Sequence, residues 1–183
     1  DLSANATPSF RGRRRADDDP FQGGNAARGW IDSVPTVSQD LVVLTPRHSS
    51  RIYGLDLLTG ELKWSYPRDD GLYVAGLVEG QVLIVGKDKL QAWNVDPKQK
   101  GWTLHWQDPP SGRGLIVGSH LLVPQGANLA VVDLKRRGLV QTIPAPKGVE
   151  LGNLIVSQGR LISQGIDRLD VLAFPNLTAK PSE

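Results

Sequence analysis

Arg51-Ile52-Tyr53-Gly54-Leu55-Asp56-Leu57-Leu58-Thr59-Gly60-Glu61-Leu62-Lys63-Trp64 is the clearest copy of a unit that recurs along the chain. Weaker copies begin at Leu90, Leu129 and Leu169, a period of about 39 residues. Upstream of each copy lies an apolar triplet: Val42-Val43-Leu44, Val82-Leu83-Ile84, Leu121-Leu122-Val123 and Leu161-Ile162-Ser163. A third track runs through Val37, Leu77, Ile116 and Ile155. Three tracks with one period and several short strands per unit predict an all-β fold. It is a β-propeller segment of about four four-stranded blades.

Turn chemistry divides each unit. Gln39-Asp40, Glu79-Gly80, Gly118-Ser119 and Gln158-Gly159 fall between the first two expected strands of each unit. Hairpins there favour Gly or residues that tolerate positive φ. Thr59-Gly60 and Arg137-Gly138 do the same between the third and fourth strands. The apolar runs are nearly continuous, as expected of strands covered on both faces. The reading therefore places blades at about 33–70, 71–110, 111–149 and 150–174. The last is incomplete, because Pro175 and the polar tail 175–183 supply no fourth strand. Residues 1–32 hold Arg11-Gly12-Arg13-Arg14-Arg15 and Asp17-Asp18-Asp19 with no apolar period, and read as a linker or insertion.

Composition narrows the function. Twenty-one basic and 19 acidic residues leave a net charge of +2, too little for a nucleic-acid-binding field. No apolar run reaches the ~18 residues of a membrane-spanning helix. The chain has no cysteine, which removes disulfides, thiolate metal sites and cysteine nucleophiles. It has no methionine, so residue 1 is not a translation start and a processed product or fragment is expected. His48, His105 and His120 are scattered, without metal-ligand spacing. Hydrolase, phosphate-loop and metalloprotease motifs are absent, so no catalytic residue is nominated and no metal or cofactor is expected from the residues.

The run Tyr53-Gly54-Leu55-Asp56, Thr59-Gly60-Glu61 and Trp64 resembles the repeat of the PQQ-binding-like β-propeller proteins. Trp93-Asn94-Val95-Asp96 with Trp106 takes the corresponding places in the second unit, and Val132-Asp133 with Gly138 in the third. The resemblance covers about residues 33–174. It extends to the BamB-like bacterial envelope proteins through Pro67 to Gly76, Pro110 to Gly114 and Gly152-Asn153-Leu154. It implies an internal segment of a larger envelope protein, located in the periplasm or cell envelope. It also implies a non-catalytic, protein-binding scaffold, with a PQQ- and calcium-dependent dehydrogenase or sensor segment as the alternative. The partner is then another protein, the remaining blades of a longer chain, or a second copy completing a ring.

Asp56, Gly60, Trp64, Trp106 and Asp133 read as structural. The carboxylates hold turns, and the tryptophans pack between blades with the indole N–H on a backbone acceptor. Binding is expected where loops entering the innermost strands share one face. That face collects Arg68, Asp69, Asp70 and Tyr73, then Arg113, then Asn153.

Overall fold

A computed structural model describes residues 33–177, all strands, turns and loops. The Arg-rich and Asp-rich segment lies outside the described residues. The first sheet is formed by β1 (Thr36–Ser38), β2 (Leu41–Leu44), β3 (Arg51–Asp56) and β4 (Leu62–Pro67). The second has β5 (Gly71–Val78), β6 (Gln81–Gly86), β7 (Lys89–Asn94) and β8 (Trp102–His105). The third has β9 (Leu115–Val117), β10 (His120–Gln125), β11 (Asn128–Asp133) and β12 (Gly138–Pro144). Among the described residues the fourth has three strands, β13 (Asn153–Ser157), β14 (Arg160–Gln164) and β15 (Leu169–Ala173). Each sheet is an antiparallel meander in chain order, so all four resemble propeller blades.

Hydrophobic burial joins each sheet to its neighbours in sequence. Leu41, Val43, Ile52 and Trp64 of the first sheet pack on Val74, Val82 and Ile84 of the second. Leu83, Val85, Leu90 and Ala92 meet Leu121, Val123, Ala130 and Val132 of the third. Leu122, Leu129 and Val131 meet Leu151, Leu154 and Leu161 of the fourth. This layering explains the unbroken apolar runs. From its second residue on, β6 and β10 are buried at every position, while β2 is buried at alternate positions because only one of its faces is covered.

The hairpin expectations hold residue by residue between the first two strands. Gln39, Glu79, Gly118 and Gln158 take positive φ of 53°, 49°, 58° and 49°. In the third sheet's last hairpin the left-handed residue is Arg137, at 58°, and not Gly138. The register also corrects two equivalences. Val37, Leu77 and Ile116 pair with Val42, Val82 and Leu121, but the partner of Leu161 is Val156 and not Ile155. Trp64 stands opposite Gly54, and the matching Ala92 stands opposite Trp102, so Trp102 and not Trp106 is the counterpart of Trp64. The spacing agrees with the register, since Trp64 and Trp102 each stand ten residues after the residue they face, Gly54 and Ala92.

The repeated aspartates hold their turns. Asp56 Oδ1 accepts the N–H groups of Leu58 and Thr59, at 3.0 and 2.9 Å. Asp133 Oδ1 accepts those of Lys135 and Arg136, at 2.9 and 3.0 Å. The Thr59 N–H and the Lys63 ammonium hold the Asp56 carboxyl well below the usual carboxylate range. Gly60, at φ 71°, completes the first of these turns.

The tryptophans divide. Trp106 Nε1 donates to the Lys87 carbonyl at 3.1 Å, as expected. Trp64 Nε1 is buried without an acceptor among the described residues, which corrects the expectation of a backbone partner. Its ring lies flat over Gly54 and beside Tyr66, at 5.1 Å between centroids. Tyr66 in turn stacks on Trp93 at 4.8 Å and donates its hydroxyl to the Asn94 carbonyl at 2.7 Å.

Candidate functional site

The loops that enter β5 and β9 carry Arg68, Asp69, Asp70 and Arg113 of the six residues nominated for binding, and the first residues of β5 and β13 carry Tyr73 and Asn153. Their side chains fall into two clusters rather than one. The first surrounds the turn Arg68-Asp69-Asp70-Gly71, closed by Gly71 N–H on the Arg68 carbonyl at 2.8 Å, with Asp69 at φ 47°. Arg68 is buried and donates to four carbonyls: Gly71 from Nε at 3.0 Å, Thr45 and Pro46 from Nη1 at 3.2 Å each, and Leu72 from Nη2 at 3.3 Å. One planar fork thus ties the loop of the first sheet to the start of the second.

Asp70 reaches forward. Its Oδ2 accepts the Lys87 and Asp88 N–H groups at 2.7 and 3.3 Å, and its Oδ1 lies 3.2 Å from Lys89 Nζ. Burial pushes the Asp70 carboxyl up, but the hydrogen bonds from Asp88 and Lys89 outweigh it and hold the carboxyl below its ordinary value. Gly86 makes room for this carboxylate, since a Cβ there would sit 2.5 Å from Oδ2. Asp69 is exposed and approaches Gln91 Nε2 at 3.5 Å and Lys89 Nζ at 3.9 Å.

Tyr73, Arg113 and Asn153 form the second cluster, a ladder across three sheets. The Tyr73 hydroxyl accepts Gly114 N–H at 2.8 Å. Arg113 lies over the Tyr73 ring at 5.4 Å and donates from Nη2 to the Val74 carbonyl at 3.1 Å. Its own N–H donates to Asn153 Oδ1 at 2.8 Å, and its carbonyl accepts Leu154 N–H at 2.8 Å. Serine completes the stitching. Ser111 Oγ donates to the Leu151 carbonyl at 2.6 Å and accepts Gly126 N–H at 2.8 Å. Buried Ser163 accepts Gly152 N–H at 2.8 Å. Ser163 carried no sequence signal beyond being the one polar residue in an apolar triplet.

Tyr73 gives a direct test. Its side chain is almost fully buried, and desolvation pushes its ionisation well above the ordinary tyrosine value. A raised acid pKa stabilises the fold below the unfolded value of about 10, and that contribution is lost as pH rises above it. Tyr73→Phe is expected to lower stability by about 1–3 kcal/mol, because the Gly114 N–H is left without its acceptor. It should also weaken the fall in stability at alkaline pH. Urea midpoints measured between neutral and strongly alkaline pH check both, and unchanged midpoints with an unchanged alkaline limb would refute the ladder's role.

The resemblance implies PQQ with calcium, and the residues present do not fit that pair. Calcium needs six to eight oxygens. Among the described residues no three His, Cys, Asp or Glu side chains converge to hold a metal ion. Of the loop-face carboxylates, Asp70 is already held by the Lys87 and Asp88 N–H groups and by Lys89.

Stacked antiparallel meanders joined by loop-to-loop hydrogen bonds define a protein of blade-like sheets. No protein-family model matches the chain, and no curated protein matches it. Solved structures do. BamB from Moraxella catarrhalis is 23% identical over 70% of this chain and 40% of its own, with a TM-score of 0.50. The computationally designed Ika4 protein is 15% identical over 85% of this chain and 96% of its own, with a TM-score of 0.60. The WD40 domain of Neurospora crassa Pan2 is 14% identical over 84% of this chain and 49% of its own, also at 0.60. The likeness to BamB and other propeller proteins is distant and is one of fold. The chain spans 40% of the length of the Moraxella protein.

Proposed function

We propose that the chain is a non-catalytic, protein-binding scaffold segment of a PQQ-like β-propeller in the bacterial cell envelope. The observation that carries this reading is the apolar surface left open at both ends of the sheet stack. Val37 on the first sheet and Ile155, Leu169 and Val171 on the fourth are all more than half exposed. Bare apolar sheet faces of this kind mark association surfaces. In the four-blade reading, 33–70, 71–110, 111–149 and 150–174 are the blades and the parent chain or another protein covers the ends. On the loop face, Asp69 and Asn153 are the exposed members of the nominated set and the ones offered to a partner.

A photo-crosslinking residue at Val37 or Val171 in the full chain, expressed in a bacterial envelope, tests the reading. Adducts of one discrete mass are expected at these positions and not at Leu58, which is 91% exposed in a hairpin turn. Equal labelling at all three positions would refute it. Titration with PQQ and calcium separates the enzymatic alternative, which requires a saturable absorbance change that the scaffold does not.

A further inference from the structure

We infer that the outer face of β13–β15 is a docking surface for the first sheet of a second copy of this chain. The inference rests on the reading of these sheets as repeated blades, and it names the occupant of the open end.

The register makes the argument quantitative. Ile52, Leu90, Leu129 and Leu169 occupy one place in successive sheets, and the first three are 1%, 0% and 3% exposed because the next sheet covers them. Leu169 is 63% exposed. The place held by Ala92 and Val131, 2% and 0% exposed, is held in the fourth sheet by Val171 at 60%. Ile162 stands where Val43, Leu83 and Leu122 are fully buried. The fourth sheet therefore presents three of the apolar places with which earlier sheets receive their successors, while Gln164 stands where the second sheet has Val85. Among the described residues it has three strands where the others have four.

The complementary face exists in the same chain. Val82 and Ile84, Leu121 and Val123, and Leu161 each pack on the preceding sheet. Their counterparts in the first sheet are Val42 and Leu44, backed by Val37, Tyr53 and Leu55 on the side away from the second sheet. On that side Val37 is 58% exposed and Val42, Leu44, Tyr53 and Leu55 are half-buried, so both halves of one repeated contact are at least partly open at opposite ends of the described residues. Such a head-to-tail contact either closes a ring of copies or extends a row.

Light scattering of the full chain over a wide range of concentration tests the inference. The expected result is a mass that rises from one copy to two or more. Leu169→Glu with Val171→Glu should weaken that association by about a hundredfold or more, because two carboxylates would enter an apolar contact. Val37→Glu should weaken it from the other side, and Leu58→Glu should not. Mixing the two defective variants should restore part of the association, since each retains one sound face. The altered residues are exposed, so urea midpoints of the monomer should stay close to the parent value and show that folding is intact. A single-copy mass at every concentration, or an assembly indifferent to both face variants, would overturn the inference. A crosslink from Val171 to a different polypeptide, with the chain itself monomeric, would overturn the second copy while leaving the scaffold reading in place.

Discussion

Gly152→Ala is expected to part the loop entering β13 from the end of β14, and through Gly112 to loosen the fourth sheet on the third. A Cβ at Gly152 would lie 2.0 Å from the Gln164 carbonyl oxygen, 2.7 Å from its carbon and 3.1 Å from Gly165 Cα. All three atoms are backbone, so no rotamer change relieves the overlap. Behind Gly152 stands Gly112, whose own Cβ would meet the Gly152 carbonyl carbon at 2.3 Å. Three chain segments are therefore stacked at backbone contact, held by the Ser163 and Ser111 hydrogen bonds. Parting them breaks those bonds and opens the core around Leu151, Leu154 and Leu161. The cost should reach about 3 kcal/mol or more, the upper range for overpacking. Hydrogen exchange should accelerate through β13–β15 while β6 and β7 keep their protection, as stacked repeats unfold in local units. Gly118→Ala is the contrast. It has positive φ but open space around it, and should cost only about 1 kcal/mol. Equal effects at the two sites would show that backbone contact is not what Gly152 provides.

Gly54→Ala should dislodge Trp64. The added carbon would sit 2.1, 2.3 and 2.6 Å from three atoms of the indole ring. Tyr66 and the Trp93 stack behind it leave the ring little room to slide. The second sheet displays the one available escape. There Ala92 faces Trp102, whose ring is only half-buried and whose Nε1 donates to Gln81 Oε1 at 2.9 Å. In the first sheet the place of Gln81 is taken by Leu41, so an outward Trp64 would find no amide. The loss of burial should cost about 2–4 kcal/mol. Tryptophan emission should move to longer wavelength together with a lower urea midpoint. An unshifted spectrum at unchanged stability would sink this account.

The strand order was legible because three apolar tracks and the turn residues obey local rules, each acting within a few residues. The three strands of the fourth sheet among the described residues were legible for the same reason, since their apolar triplet and turn follow the same local pattern. What escaped was set across sheets. Arg68, Tyr73 and Arg113 stood out as polar residues near the turns, but only the stacking shows their donors and acceptors directed at a neighbouring sheet's backbone. The same polarity that suggests a ligand serves equally to satisfy a buried carbonyl. The Trp102 equivalence was legible too, since Trp64 and Trp102 stand equally far from Ile52 and Leu90, and the pairing register agrees with that spacing. Ile155 misled because it lies one residue from the true row in an apolar run.

Because every junction in the stack uses the same rows, the face chemistry does not count blades. A duplicated middle unit inserted after β8 would meet the same surfaces on either side and leave both ends as they are. The size of a finished assembly must then follow from the small rotation between successive sheets, a property of twist and side-chain bulk. Growth of such a molecule by gene duplication needs no new recognition surface, only a change in curvature that brings the last face round to the first.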